Sequence, residues 1–127
     1  MAHAMTSAQW RQFFEICASV LGEGHVDPNR SNSWCAWTTL RRLKEDSGYW
    51  AAGLPSNGDI KSDHIGDGGV WGQPFSFADL AHIVLPATFE NSNGDIKHQD
   101  LSRLANRLSE AGIPFSQSRV AIEVKLY

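Results

Sequence analysis

The sequence predicts an α+β domain: a small mixed or antiparallel sheet with two main helices packed on one face, the C-terminal helix followed by a central strand. Three observations carry that expectation. Trp10, Phe13, Phe14, Cys17 and Val20 or Leu21 recur at helical spacing and make one apolar stripe. Leu101, Leu104, Ala105, Leu108 and Ala111 repeat the pattern near the other end of the chain. Val120, Ile122, Val124 and Leu126 then share one face of a strand, with Glu123 and Lys125 on the other.

Each element has its own justification. Thr6 and Gln9 stand at capping-box spacing, and Met5 is placed to staple onto Trp10. Gly22 and Gly24 end the first helix. Residues 1–4 are expected to be a disordered or vector-derived N-terminus, with a single globular domain over 5–127. Residues 25–33 are a loop by composition. The stretch 34–46 fits two patterns. Trp34, Trp37, Leu40 or Arg41, and Leu43 suit a helix with Ser33 as N-cap, whereas Cys35, Trp37 and Thr39 suit a strand, which Thr38-Thr39 favours. The helix is the expectation taken here. Residues 49–54 read as a short strand. Phe75 and Phe77 alternate after Pro74, and residues 81–85 form an apolar run closed by Pro86, so a strand covered on both faces, or a bulged pair, is expected. Gly112 and Pro114 terminate the second long helix.

A chain of 127 residues makes one domain that buries roughly two thirds of its unfolded surface. Its 42% hydrophobic and 20% charged residues are those of an ordinary soluble protein. A net charge of −3 argues against a nucleic-acid partner, which demands a basic field. The one basic cluster, Arg41-Arg42-Lys44, is met at once by Glu45 and Asp46 and reads as a solvated helix face. No apolar run approaches the ~20 residues of a membrane span, so no membrane association is expected. The start of the chain has no charged region followed by an apolar stretch. Two cysteines, Cys17 and Cys35, do not make a disulfide framework, and the chain reads as cytoplasmic with both thiols reduced.

The hexapeptide Ser-Asn-Gly-Asp-Ile-Lys occurs twice, at 56–61 and 92–97. The flanks do not match, so the copies read as two turns that share one solution, not as a duplication. Asn-Gly is a strong dipeptide for a tight turn with φ > 0.

Chemistry-bearing residues concentrate between 53 and 72, which hold six of the eleven glycines together with Asp59, Asp63, His64, Asp67 and Trp71. Glycine-rich polar segments are where binding residues tend to sit. Asp63 to Gly68 has alternating carboxylates, but Ile65 stands at the third position of a calcium loop and Pro74 at the twelfth, where a bidentate Glu is required. Another metal site would have to join His64 with Asp63 or Asp67 and with His25, His82 or His98. No two of these histidines have the spacing that puts both on one helix face. No metal and no cofactor are therefore expected. Trp71, set among glycines, is expected to have an accessible ring and to act as an interface anchor.

Cys35 is the other candidate. At the start of a helix it would have a lowered thiol pKa. The string Asn32-Ser33-Trp34-Cys35-Ala36-Trp37 resembles, over those few residues, the start of the cysteine-bearing helix in papain-like peptidoglycan amidases. The resemblance implies a nucleophilic Cys35 with a histidine that follows it, either His64 beside Asp63 or His82 beside Asp79. Against it stands the habit of free cysteine to be buried and inert, here among tryptophans. P-loop, GxGxxG, GxSxG and HExxH motifs are absent.

By elimination the expected function is non-catalytic binding of a protein partner, in the manner of an immunity protein, antitoxin or inhibitor. The contact would be the acidic glycine-rich loop with Asp59, Asp63, His64, Asp67 and Trp71. The alternatives are a cysteine-dependent hydrolase using Cys35 with His64 or His82, and a protein that holds a small ligand between sheet and helices.

Overall fold

A computed structural model describes residues 5–127, and the expectation for residues 1–4 lies outside them. Helix α1 (Ser7–Leu21) starts as its capping box requires. Thr6 N–H donates to Gln9 Oε1 at 2.9 Å, and Gln9 N–H donates to Thr6 Oγ1 at 3.1 Å. Trp10, Phe13, Phe14, Cys17 and Leu21 are buried along its stripe, and Met5 packs against the same core.

Residues 34–46 do not form the expected helix. They make strand β1 (Cys35–Thr39) and then one turn of helix, α2 (Leu40–Lys44). The reason is tertiary. β1 is paired on both edges, to β2 (Trp50–Ala52) and to β5 (Leu80–Pro86), and it buries Cys35, Trp37 and Thr39 at strand period. Thr39 Oγ1 then caps α2 by accepting from Arg42 N–H at 3.2 Å.

The remaining elements follow the expected order. Strands β3 (His64–Ile65) and β4 (Phe75–Ser76) pair with each other, as do β6 (Thr88–Glu90) and β7 (Ile96–His98). Helix α3 (Leu101–Glu110) is capped by Asp100, whose carboxylate accepts from Arg103 N–H at 3.0 Å. β8 (Ser116–Gln117) and β9 (Ala121–Lys125) complete a five-stranded antiparallel sheet in the order β2-β1-β5-β9-β8. The protein is therefore of the α+β class, with β9 an interior strand.

Val120 is the exception in the last strand. Ile122 and Val124 are buried, but Val120 is exposed and precedes the strand. Ser118 Oγ accepts from the N–H groups of both Val120 and Ala121 at 3.2 Å, so a turn occupies the position where the alternation would have begun.

One face of the main sheet carries Cys35, Trp37, Ile83, Leu85, Ile122 and Val124, all buried in the core. Helices α1 and α3 pack together, and α3 packs on β9. On the opposite face Ala36, Val84, Glu123 and Lys125 keep contact with water. Trp37 is stacked on Trp71 at 3.7 Å between ring centroids, with Phe75 perpendicular to it at 5.6 Å. Its indole N–H has no nitrogen or oxygen partner among the described residues. Gly24 and Gly53 let two backbones cross: Gly24 N–H donates to Leu54 O at 2.8 Å, and a Cβ on Gly24 would lie 2.5 Å from that same oxygen.

Candidate functional site

The glycine-rich segment is fastened from beneath. Ile60 and Ile65 are buried and bridge each other, and Lys61 N–H donates to His64 O at 2.9 Å. Trp71 corrects the expectation of an accessible anchor, since only 7% of it is exposed. Its indole N–H donates to Gly53 O at 3.0 Å, and its ring lies between Trp37 and Phe14. The glycines around it do not hold the ring out in solvent. They let the chain fold back so that a large apolar surface joins the core, which stabilises it by far more than exposure would.

The five loop residues therefore divide. Trp71 is a structural pin. Asp59 is half-buried, accepts from Ser56 Oγ at 2.9 Å, and lies tightly against the Cα of Gly69. Asp63, His64 and Asp67 stay at the surface, with His64 Nδ1 2.7 Å from Asp63 Oδ1. Among the described residues no third acidic, histidine or cysteine side chain joins His64 and Asp63 as a metal-binding group.

Cys35 lies inside β1, not at the start of a helix, and is fully buried. Burial pushes its thiol well above the ordinary range, against a smaller lowering by the Trp71 indole. Cys17 is likewise raised by burial, then by the nearby Cys35. The Cys35 sulfur points to Gly53 O at 3.9 Å. His82 cannot serve it. Thr38 pairs with His82 and Trp37 with Ile83, so Cys35 and Trp37 share the core face while His82 belongs to the other. His64 pairs through Nδ1 with Asp63 and makes no hydrogen bond to the buried Cys35 sulfur, whose own hydrogen bond goes to Gly53 O.

His82 has a different setting from the one expected. Asp79 is not its partner. Glu123 Oε1 lies 2.6 Å from its Nε2, and the Tyr49 hydroxyl lies 2.7 Å from its Nδ1. The Tyr49 hydroxyl is in turn 3.2 Å from that of Tyr127. Sequence reasoning missed this group because its members come from three distant places: the residue before β2, the middle of β5, and β9 with the residues that follow it. The available signal was Glu123, a carboxylate on the polar face of β9 beside Lys125.

A groove of about 200 Å³ borders β9, between Pro114, Phe115 and Ser116 on one side and residues 123–126, Glu123 included, on the other. It is smaller than the roughly 300 Å³ at which small-molecule sites begin. It lies where β8 stops short of the end of β9, not between sheet and helices. No helix among the described residues is long and apolar enough to cross a membrane. No protein-family model, curated protein or solved structure matches this chain.

Proposed function

We propose that the chain is a non-catalytic binding protein that engages a protein partner, in the manner of an immunity protein, antitoxin or inhibitor, through residues 56–73. One observation carries the reading. Asp63, His64 and Asp67 are surface groups on a segment locked from below by Ile60, Ile65 and Trp71. A surface held in one conformation before the encounter loses less entropy on binding. Its exposed carboxylates suit a basic partner surface and act chiefly on the association rate. Trp71 serves as the fastener of this surface, not as its contact. Neither imidazole of the hydrolase alternative is hydrogen-bonded to the buried Cys35, so that reading gains no support.

The test is capture of a partner on immobilised protein, followed by kinetics with the Asp63→Asn/Asp67→Asn double variant. Slower association at low salt, a difference that shrinks at high salt, and unchanged thermal unfolding are expected. Equal association rates for the double variant and the parent protein would remove the acidic segment from the interface.

A further inference from the structure

The backbone hydrogen bonds of β9 alternate between its two edges. Leu126 N–H donates to Ala81 O at 2.9 Å, in register with the pairing of Val124 and Ile122 to β5, so the even-numbered residues face β5. On the other edge Ser118 N–H donates to Ala121 O at 2.9 Å, and Glu123 stands opposite Ser116. Lys125 comes next along that edge. Continued by two residues, the register of β8 would set Pro114 opposite Lys125. Proline has no N–H to give. The preceding Ile113 N–H is turned away and donates to Leu108 O at 3.0 Å. The Lys125 N–H and C=O therefore face the groove with no backbone partner among the described residues.

The groove is shaped for a strand. A free N–H and C=O on a sheet edge are the template on which an extended chain adds. A residue set opposite Lys125 has its side chain beside the ammonium, on the solvent face. The residues before and after it have theirs on the core face. There Phe115 and Leu126, both half-buried, and Val124 line the groove. About 200 Å³ is small for a complete ligand, but it is room for an apolar side chain.

Charge selects the strand. Glu123, the other charged residue on the rim, is held by His82 at 2.6 Å. Lys125 is exposed and makes no ion pair among the described residues, and its ammonium rests 4.6 Å from the centre of the Tyr127 ring. A second copy added symmetrically about Lys125 would set two lysines directly opposite each other, which is destabilising, whereas a carboxylate in that place is attracted.

We propose that the free edge of β9 at Lys125 takes an extended segment of a partner polypeptide as an added antiparallel strand, with an acidic residue opposite Lys125 and apolar residues on either side of it. Residues 56–73 take no part in this edge, so the proposal stands or falls apart from the reading above.

Amide NMR of the ¹⁵N-labelled full chain tests it, with two synthetic pentapeptides blocked at both ends, Thr-Val-Glu-Val-Thr and Thr-Val-Lys-Val-Thr. In the free protein the Lys125 amide should exchange rapidly with solvent, while those of Val124 and Leu126, which face β5, are protected. At millimolar glutamate peptide the Lys125 amide resonance should move and its exchange slow. The lysine peptide should bind more weakly, by up to about fivefold, as a cross-strand charge pair allows. Lys125→Glu, a change at an exposed side chain, should reverse that preference. A Lys125 amide already protected in the free protein, no response of it to the glutamate peptide, or equal affinities for the two peptides would each overturn the proposal. Protection that grows with protein concentration alone would assign the edge to a second copy and overturn it as well. The two peptides are compared on the parent protein and decide the matter even if the variant folds poorly.

Discussion

The same six residues, Ser-Asn-Gly-Asp-Ile-Lys, stand at 56–61 and at 92–97, and the two copies fold differently. In the first, residues 57–59 make a turn of 3-10 helix in which Asp59 N–H donates to Ser56 O at 2.9 Å. Its isoleucine, Ile60, is 6% exposed and part of the core. The second copy connects β6 to β7. Gly94 N–H donates to Asn91 O at 3.0 Å with Gly94 at φ 85°, and Ile96 is 59% exposed. The expectation of one shared solution fails, because only the second copy uses the left-handed glycine that Asn-Gly favours.

The difference comes from the neighbours. Asn91 precedes the second copy, and its side chain accepts from the N–H groups of Asn93 and Asp95, each at 3.0 Å. Pro55 precedes the first, whose Asn57 N–H donates to the distant Glu23 Oε1 at 2.5 Å and whose Ser56 hydroxyl donates to Asp59, while Ile60 is bridged to Ile65 in the core. Asn-Gly announces that a chain turns. What lies on either side determines which turn forms.

Five substitutions would sharpen or break this contrast, each measured by denaturant unfolding. Trp71→Ala should have the largest effect, a loss of about 3–5 kcal/mol, because it empties the space between Trp37 and Phe14. A loss below ~1 kcal/mol would mean that the first copy is not held by the core at all. Ile60→Ala should cost about 2–5 kcal/mol for the same reason at smaller volume.

Glycine replacement should reveal the two turn types. Gly94→Ala is expected to cost about 1–2 kcal/mol, since a Cβ is disfavoured at its positive φ. Gly58→Ala, which has a right-handed backbone and open space around it, should be neutral or stabilise by up to about 1 kcal/mol. Equal costs at the two glycines would mean that the turns are alike in solution. Ile96→Ala should be the mildest change, within about 0.5 kcal/mol, as for other exposed positions. A larger cost would show that the hairpin tip is covered.

Much of the fold was legible because some segments carry redundant signals. Thr6 and Gln9, the stripe from Trp10 to Leu21, and the stripe closed by Gly112 each agree with their neighbours about helix. The candidate site was less legible. Asp63 and Asp67 are short charged groups in a polar segment, and such groups keep their place at the surface. Trp71 belongs to a residue type that is apolar and polar at once, and its burial depends on whether a surface waits for it.

The sequence by itself determined the two long helices, the interior strand around Ile122 and Val124, and the α+β class, since period and capping act within a few residues of each other. Only the tertiary structure decided that residues 35–39 are a strand, that Trp71 lies on Trp37, and that His82 meets Glu123 and Tyr49. Those outcomes depend on partners 30 to 40 residues away or more in the chain, such as Trp37 with Trp71 and His82 with Glu123 at a separation of 41. Local propensity is worth at most about 1 kcal/mol per residue, and paired strand edges or a buried indole outweigh it.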